Sequence, residues 1–370
     1  MIRIGFDGKR FFHNNTGLGN YSRNLIKVVS DFFPDNEYLL YNPKKNSKYT
    51  LDTFNTSVKE ILPKSFLSKK FKSLWRLWFV STSIEKNTTI FHGLSGEIPL
   101  GLSKKVKKVV TIHDLIFIRY PNLYSFFDRK IHFLKFKYAA QKSDVVVAIS
   151  KQTKNDIITY LGISEDKIKV IYQGCDPVYK ENYSESEKTE VIKRFHFPQK
   201  FILNVGTIET RKNAFLIVKA IQGTTIPLVL VGRKTAYCKV IDQFISENNM
   251  QNQVIYIHKI SQNDLAILYQ TASIFVYPSI FEGFGIPIIE ALYSKTPVIT
   301  SHSGVFPEAG GPDSIYINPN NVSEMRAAIL ELFNNEELCD AIAAKGYVFV
   351  QKFNDDVITK NWQNLYESLL

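Results

Sequence analysis

The chain has 370 residues, of which 45% are hydrophobic and 22% charged, enough for two ordinary domains whose cores need no disulfide or metal staples. Its mean hydropathy of −0.11 and the absence of any run near the roughly 18 apolar residues of a spanning helix argue for a water-soluble fold. The net charge of +11 is uneven: residues 1–180 carry 30 Lys+Arg against 15 Asp+Glu, whereas residues 181–370 carry 16 against 20, so the first half should be drawn to something anionic, a nucleic acid or an acidic membrane surface.

In chain order, short β-branched runs alternate with stretches of helical spacing. The N-terminus, MIRIGFDGKRFF, lacks the apolar core and cleavage site of a signal peptide and reads as a first strand, Ile2–Phe6. A helical pattern follows at Asn20–Phe32, then strands at Val109–Ile112 and Val145–Ile149, a helix at Lys151–Leu161 and a strand at Ile168–Tyr172. Lys180–Thr189, KENYSESEKT, is polar and free of large aliphatic residues, and marks a boundary between domains of residues 1–180 and 190–353. The second half resumes with strands at Phe201–Val205, Leu228–Val231, Val254–Ile257, Ile274–Tyr277 and Val298–Thr300, with a helix at Asn213–Ile221. Glu336–Leu370 reads as helical throughout. Strand, helix, strand in sequence predicts α/β architecture: two Rossmann-like, doubly wound parallel sheets with ligands outside the carboxyl ends of their strands.

The segment with most chemistry follows the strand Ile274–Tyr277. In Phe281–Leu292, FEGFGIPIIEAL, Gly283 and Gly285 bracket a tight loop and Pro287 suits a first helical turn. Glycines let a ligand approach the backbone, and a helix N-terminus favours an anion such as a phosphate. Glu282 and Glu290 flank that loop. Carboxylates beside a phosphate repel it unless they face hydroxyls, so the pair suits sugar recognition better than acid catalysis. The bland alternative is a strand–helix connection with one glutamate favouring the helix dipole and the other solvated. A second stretch, Asn204–Asn213 (NVGTIETRKN), sets Arg211 and Lys212 where a helix begins, a mild cost that an anionic ligand offsets; taken alone the pair reads as a solvated basic turn. Thr16–Tyr21 (TGLGNY) carries Gly17 and Gly19 between strand and helix, and Val109–Asp114 (VVTIHD) ends in His113 and Asp114. Each is weak evidence by itself.

Together these motifs resemble those of the retaining glycosyltransferase family 4, glycosyl transferases group 1, over nearly the whole chain. The resemblance implies the GT-B fold, two Rossmann-like domains facing each other across a cleft, with a C-terminal helix at residues 354–370 packing back on the N-terminal domain. FEGFGIPIIEAL matches the family's E-x7-E motif, so Glu282 is expected to hold the transferred sugar and Glu290 the nucleotide ribose. The amides of Gly283, Phe284, Gly285 and Ile286 are expected to cradle the diphosphate or the sugar. Lys212 holds the family's lysine place in a diphosphate clamp; Thr207 stands where arginine is common, and Arg211 is expected to supply the missing guanidinium. Gly17 and Gly19 match the family's glycine loop, and His113 its active-site histidine, with Asp114 orienting it or serving the fold. Gly304–Glu308 (GVFPE) matches a late glycine-to-glutamate stretch in which Glu308 either supports the sugar loop or caps a helix. His258 and Lys259 depart from the pattern near the nucleobase, so base preference does not carry over.

The implied reaction is transfer of a sugar from a nucleoside diphosphate, with mannose from GDP-mannose favoured by the RKN form, to a lipid-linked or glycan acceptor of a cell-surface polysaccharide. Neither cofactor nor metal is expected, since no Asp-x-Asp motif or His/Cys cluster is present and Cys175, Cys238 and Cys339 lack metal-ligand spacing. A non-hydrolysing UDP-sugar epimerase and a non-catalytic sugar-nucleotide or membrane-surface binder share the architecture. The segment Leu67–Ile84 places Leu67, Phe71, Leu74, Trp75 and Trp78 on one helical face, with Lys69, Lys70, Lys72 and Arg76 beside it. This stripe suits either the domain core or a membrane interface. No nucleic-acid module signature is present, which leaves anionic lipid, or a lipid-diphosphate-linked acceptor, as the better partner. A cytoplasmic protein with reduced thiols, peripheral on the inner face of the membrane, is the expected setting.

Overall fold

The structure, a computed structural model, describes residues 1–45, 48–64 and 70–370. They form two compact units: Met1–Gln173 with Asn354–Leu370, and Gly174–Phe353. The first contains a seven-stranded sheet of β1 (Arg3–Asp7), β2 (Glu37–Tyr41), β3 (Val58–Ile61), β4 (Ile90–Gly93), β5 (Lys107–Ile112), β6 (Val145–Ala148) and β7 (Ile168–Val170) in the order 3-2-1-4-5-6-7. The second contains β8 (Ile202–Val205), β9 (Leu228–Val231), β10 (Val254–Ile257), β11 (Ile274–Tyr277), β12 (Val298–Ser301) and β13 (Ile315–Ile317) in the order 10-9-8-11-12-13. Every strand pairing is parallel.

Parallel strands covered on both faces read as continuous apolar runs. LVLV of β9 and IFVY of β11 are buried at every position, which is why the sequence pattern locates them. β2 (EYLLY), β3 (VKEI) and β4 (IFHG) escape it because they are short and mix aromatic or polar residues into the run; β13 is only three residues long. Each sheet reverses strand order once, between β1 and β4 and between β8 and β11. Those reversals are the switch points at which doubly wound sheets bind ligands, and the loops leaving β8 and β11 carry Arg211, Lys212 and Glu282.

Three expected boundaries differ. The polar stretch Lys180–Thr189 is not the division, because Ser184 and Glu187 form a reciprocal capping box that starts the helix Glu185–Phe195 inside the second unit. The division falls at Gln173–Gly174 instead. Lys151–Leu161 is α-helical only to Asp156, then turns through a π segment, Ile157–Leu161, that stops at left-handed Gly162. Glu336–Leu370 is not one helix: Glu336–Val350 ends in a 3-10 turn, Gln351–Phe353, and Asp355–Glu367 starts afresh after Asn354. That last helix belongs to the first unit, where Trp362 and Tyr366 are 1% exposed.

Candidate functional site

In the second unit one carboxylate gathers the cations. The loop after β8 closes in a 3-10 turn, Thr210–Lys212, and left-handed Asn213 starts the helix Ala214–Ala220. The loop after β11 is tied to that turn by the Ile280 amide, which donates to the Arg211 carbonyl at 2.9 Å. This brings Glu282 Oε1 within 2.6 Å of Lys212 Nζ and 2.8 Å of an Arg211 nitrogen. Ser279 Oγ and Tyr277 Oη donate to the same oxygen at 2.6 and 3.0 Å, and Lys212 Nζ also donates to Tyr277 Oη at 2.5 Å. Arg211 is held further by the Phe281 carbonyl at 2.5 Å and Glu209 at 2.8 Å.

The three charged side chains are 13 to 20% exposed. Burial by itself would raise the Glu282 carboxyl, but Lys212 and then Arg211 outweigh it and hold Glu282 below the usual carboxylate range. Burial works against the Arg211 charge, yet Glu282 and Glu209 hold the guanidinium above its ordinary value. The outcome is a fixed pair of cations on the edge of a phosphate-suited loop, with an ionised carboxylate between them. The Lys212 and Arg211 expected as a clamp therefore stand against Glu282 itself. Ser279 and Tyr277, which complete the cluster, read in the sequence only as the end of a buried strand.

Glu290 lies one turn into the helix Ile286–Tyr293. It accepts a hydrogen bond from Tyr269 Oη at 2.9 Å. Burial pushes its carboxyl up to about 7, the Tyr269 bond opposing the rise and Asp176 adding to it. The expected alternative of a solvated glutamate does not hold. Gly285, at φ 113°, caps this helix in a conformation that disfavours a side chain. Phe284 turns its ring inward, edge-on to Phe353 at 5.4 Å, so it presents only backbone. Gly283 precedes it in the loop, and Ile286 and Pro287 form the first turn. Thr207 sits half-buried in the loop after β8.

In the first unit, Gly17 begins the helix Gly17–Phe32, whose Thr16 side chain caps no helix amide and donates to Asn14 Oδ1 at 2.7 Å. Asn14 Oδ1 ties the turn instead, accepting from the Thr16 and Gly19 amides at 2.8 and 3.1 Å. A side chain at Gly19 would strike the Asn14 carbonyl at 1.9 Å, whereas one at Gly17 would meet nothing within 4 Å. Tyr21 of this helix stands edge-on to His113 at 4.5 Å, joining the glycine turn to the end of β5. His113 Nε2 donates to the Leu94 carbonyl at 2.9 Å, and Gln173 Nε2 lies 3.4 Å from its Nδ1. Burial drives its pKa down to about 4, so the ring is neutral near pH 7. Asp114 accepts the Ile116 amide at 3.0 Å. Tyr21 and Gln173 carry no signal in the sequence.

Of the expected stripe, Leu67 and Lys69 lie outside the described residues. The rest is not one helical face: Trp75–Phe79 is a π turn between Lys72–Leu74 and Val80–Asn87, which rotates the register. Trp75 packs in the core at 5% exposure, while Trp78 and Phe79 are each 59% exposed. Arg76 is no surface cation. It bridges Asp7 at 2.6 Å and Glu97 at 2.5 Å.

Residues 185–349 match the family described as Glycosyl transferases group 1, and residues 58–179 match Glycosyltransferase Family 4. The chain is 31% identical over 261 residues to the O-antigen chain mannosyltransferase RfbU of Salmonella typhimurium, covering 70% of this chain and 67% of that one. It is 27% identical over 292 residues to O-antigen chain mannosyltransferase B of Escherichia coli, covering 76% and 74%. Among solved structures it resembles HepE of Anabaena in complex with UDP, with a TM-score of 0.78 at 17% identity over the full length of both. It also resembles the sucrose-phosphate synthase of Thermosynechococcus elongatus, with a TM-score of 0.79 at 19% identity over 100% and 99%. At such identities the structures establish the fold. The chain is a glycosyltransferase and belongs to group 1, family 4, built on the two-domain GT-B fold.

Proposed function

We propose that this enzyme transfers mannose, with retained configuration, from GDP-mannose to a lipid-linked or glycan acceptor of a surface polysaccharide of the O-antigen kind. The observation that carries the reading is the Glu282, Arg211 and Lys212 cluster at the switch point of the second sheet. The similarity to O-antigen mannosyltransferases supports the choice of sugar. In the proposed step the acceptor hydroxyl attacks the anomeric carbon on the face from which the diphosphate departs. The bond from that carbon to the phosphate oxygen breaks as the new glycosidic bond forms, and a leaving phosphate oxygen takes the hydroxyl proton. Arg211 and Lys212 stabilise the charge growing on the diphosphate, which preorganised cations do most strongly where water is excluded. Their presence makes transfer without a metal the expected chemistry.

Glu282 is then the reader of sugar hydroxyls, Glu290 of the ribose, and His113 a neutral contact to the donor sugar. Thr207, Gly283, Phe284, Gly285 and Ile286 would line the donor through their backbone, and Gly17 and Gly19 would serve as the glycine loop of the first unit. Membrane attachment is part of the same proposal. Phe126, Phe127, Ile131 and Leu134 are more than half exposed on the helix Phe126–Lys142, beside Arg129, Lys130, Lys135 and Lys137. An apolar strip flanked by cations suits an anionic lipid surface. No helix among the described residues is long and apolar enough to cross a membrane.

Thermal shift across GDP-, UDP- and dTDP-sugars tests the donor, since a ligand that binds only the folded state raises apparent stability. GDP-mannose should give the largest rise, and incubation with membrane extract should yield a mannosylated lipid. A larger rise with a UDP-sugar, or an epimerised sugar without acceptor, would overturn the reading.

A further inference from the structure

Within the first unit, a cavity of about 170 Å³ opens beside His113 and Asp114 at the end of β5. It lies well under the roughly 300 Å³ at which sites for drug-sized ligands begin. It is sized for a single ring, not for a nucleotide. Part of the lining is aromatic: Phe117 meets Phe136 at 5.4 Å and His132 at 5.6 Å between ring centroids, and Tyr124 lines the cavity with them. Arg10, from the short helix that follows β1, also lines the cavity. Arg10 Nε is buried, and among the described residues it has no hydrogen-bond partner. Leaving such a donor unpaired is unfavourable, so the site favours a ligand that supplies an acceptor.

The charges around it decide which ligand fits. Glu97 and Asp114 both line the cavity. Glu97 is held by Arg76 at 2.5 Å and Lys135 at 3.4 Å, so its charge is matched, and Asp114 adds a second carboxylate. A phosphate there would face the carboxylates of Glu97 and Asp114 together with His113 and His132, with Arg10 the one Lys or Arg among the described lining residues. A hydroxylated, uncharged ring meets every requirement. Its hydroxyls can accept from Arg10 and donate to the carboxylates, while its C–H face lies on the aromatic rings.

We infer that this cavity is a subsite for a neutral sugar ring of the acceptor, and that Arg10 selects it by donating its Nε–H to one ring hydroxyl. The inference rests on the transferase reading above and sharpens it. The preferred acceptor carries a neutral sugar at the growing end, and a bare lipid phosphate is a poor one. A site whose buried donor needs an acceptor oxygen from the ligand discriminates against rings that lack one at that position.

Saturation-transfer NMR with the full chain tests this, using the methyl glycosides of mannose, glucose, galactose and rhamnose as neutral probes and geranyl phosphate as the anionic one. At least one glycoside should bind, its affinity falling about tenfold in Arg10→Met and likewise in the lining variant Tyr124→Ala. The melting-temperature rise given by GDP-mannose should be the same in all three proteins. If no glycoside binds, or if its binding survives Arg10→Met, the inference is overturned. It is equally overturned if geranyl phosphate is the probe whose binding needs Arg10. A chain that binds no nucleotide sugar at all fails the transferase reading instead, and the two failures are told apart by the melting measurement.

Discussion

At the scale of single residues the cluster in the second unit is an electrostatic compromise centred on Glu282. Removing one partner of a buried ion pair costs about 3–5 kcal/mol, because the other charge is left unmatched. Here one carboxylate faces two cations and two hydroxyls. Glu282→Ala should therefore lower the melting temperature while leaving Arg211 and Lys212 free to meet a diphosphate. Transfer should fall at least about 100-fold, the order seen when a transition-state contact is removed. GDP affinity by calorimetry should be kept or improved; a parallel loss of both would remove Glu282 from the sugar. Glu290 makes a different prediction. A carboxyl whose folded pKa is raised binds more protons in the folded than in the unfolded state between the two values. Stability therefore falls as pH rises from about 4.5 to about 7, by about 3 kcal/mol at 1.36 kcal/mol per unit. Glu290→Gln keeps an acceptor for Tyr269 and loses the titration. Urea unfolding of both proteins across this window should show the mutant gaining relative to wild type as pH rises, and parallel curves would refute the burial account.

At the scale of elements, what the sequence makes legible is what lies contiguous in it. FEGFGIPIIEAL keeps loop, helix start and both glutamates in one segment, so their order along the chain is already their order in the fold. Arg211 and Lys212 were readable as a pair of cations but not as partners of Glu282. That pairing depends on the Ile280 amide bonding the Arg211 carbonyl across 69 positions of chain. Tyr269 and Arg10 gave no signal for the same reason: their roles arise from packing between distant segments. The start of the helix Glu185–Phe195 is hidden in a polar stretch because the Ser184–Glu187 capping box overrides composition. The C-terminal helix shows how much one such element carries. Trp362 and Tyr366 are buried in the first unit, and Tyr366 Oη lies 2.8 Å from Nδ1 of buried His92. His92 Nε2 in turn meets Thr111 Oγ1 at 2.7 Å, two residues before His113. Trp362→Ala should cost about 3–5 kcal/mol, the range for a buried aromatic. Chemical denaturation reads this directly, and a change below 1 kcal/mol would mean the helix is dispensable to the core.

At the scale of the whole molecule the uneven charge remains the leading fact. The excess of cations in residues 1–180 is not spent on internal pairs alone. Arg76 and Arg119 are engaged with Asp7, Glu97 and Asp156, but the helix Phe126–Lys142 contains five Lys or Arg residues and a single acidic one, Asp128. Its exposed Phe126 and Phe127, at 64% and 76%, are costly to leave in water unless they meet an apolar phase, and burying such side chains is worth about 1.5–3 kcal/mol each. Each basic residue near an anionic surface adds about 1 kcal/mol at physiological salt, an attraction that fades beyond the Debye length and with added salt. The two contributions separate experimentally. Co-sedimentation with vesicles containing phosphatidylglycerol should be strong for the wild type and weak with phosphatidylcholine alone. Raising salt to half-molar should reduce it without abolishing it, because the apolar part is unscreened. Exchanging Phe126 and Phe127 for serine should cut vesicle binding at least tenfold, leaving the melting temperature and the GDP-mannose shift unchanged, since neither ring is part of the core. Binding that persists in this double variant would take the helix Phe126–Lys142 out of the account, and binding equal on neutral and anionic vesicles would return its cations to solvent.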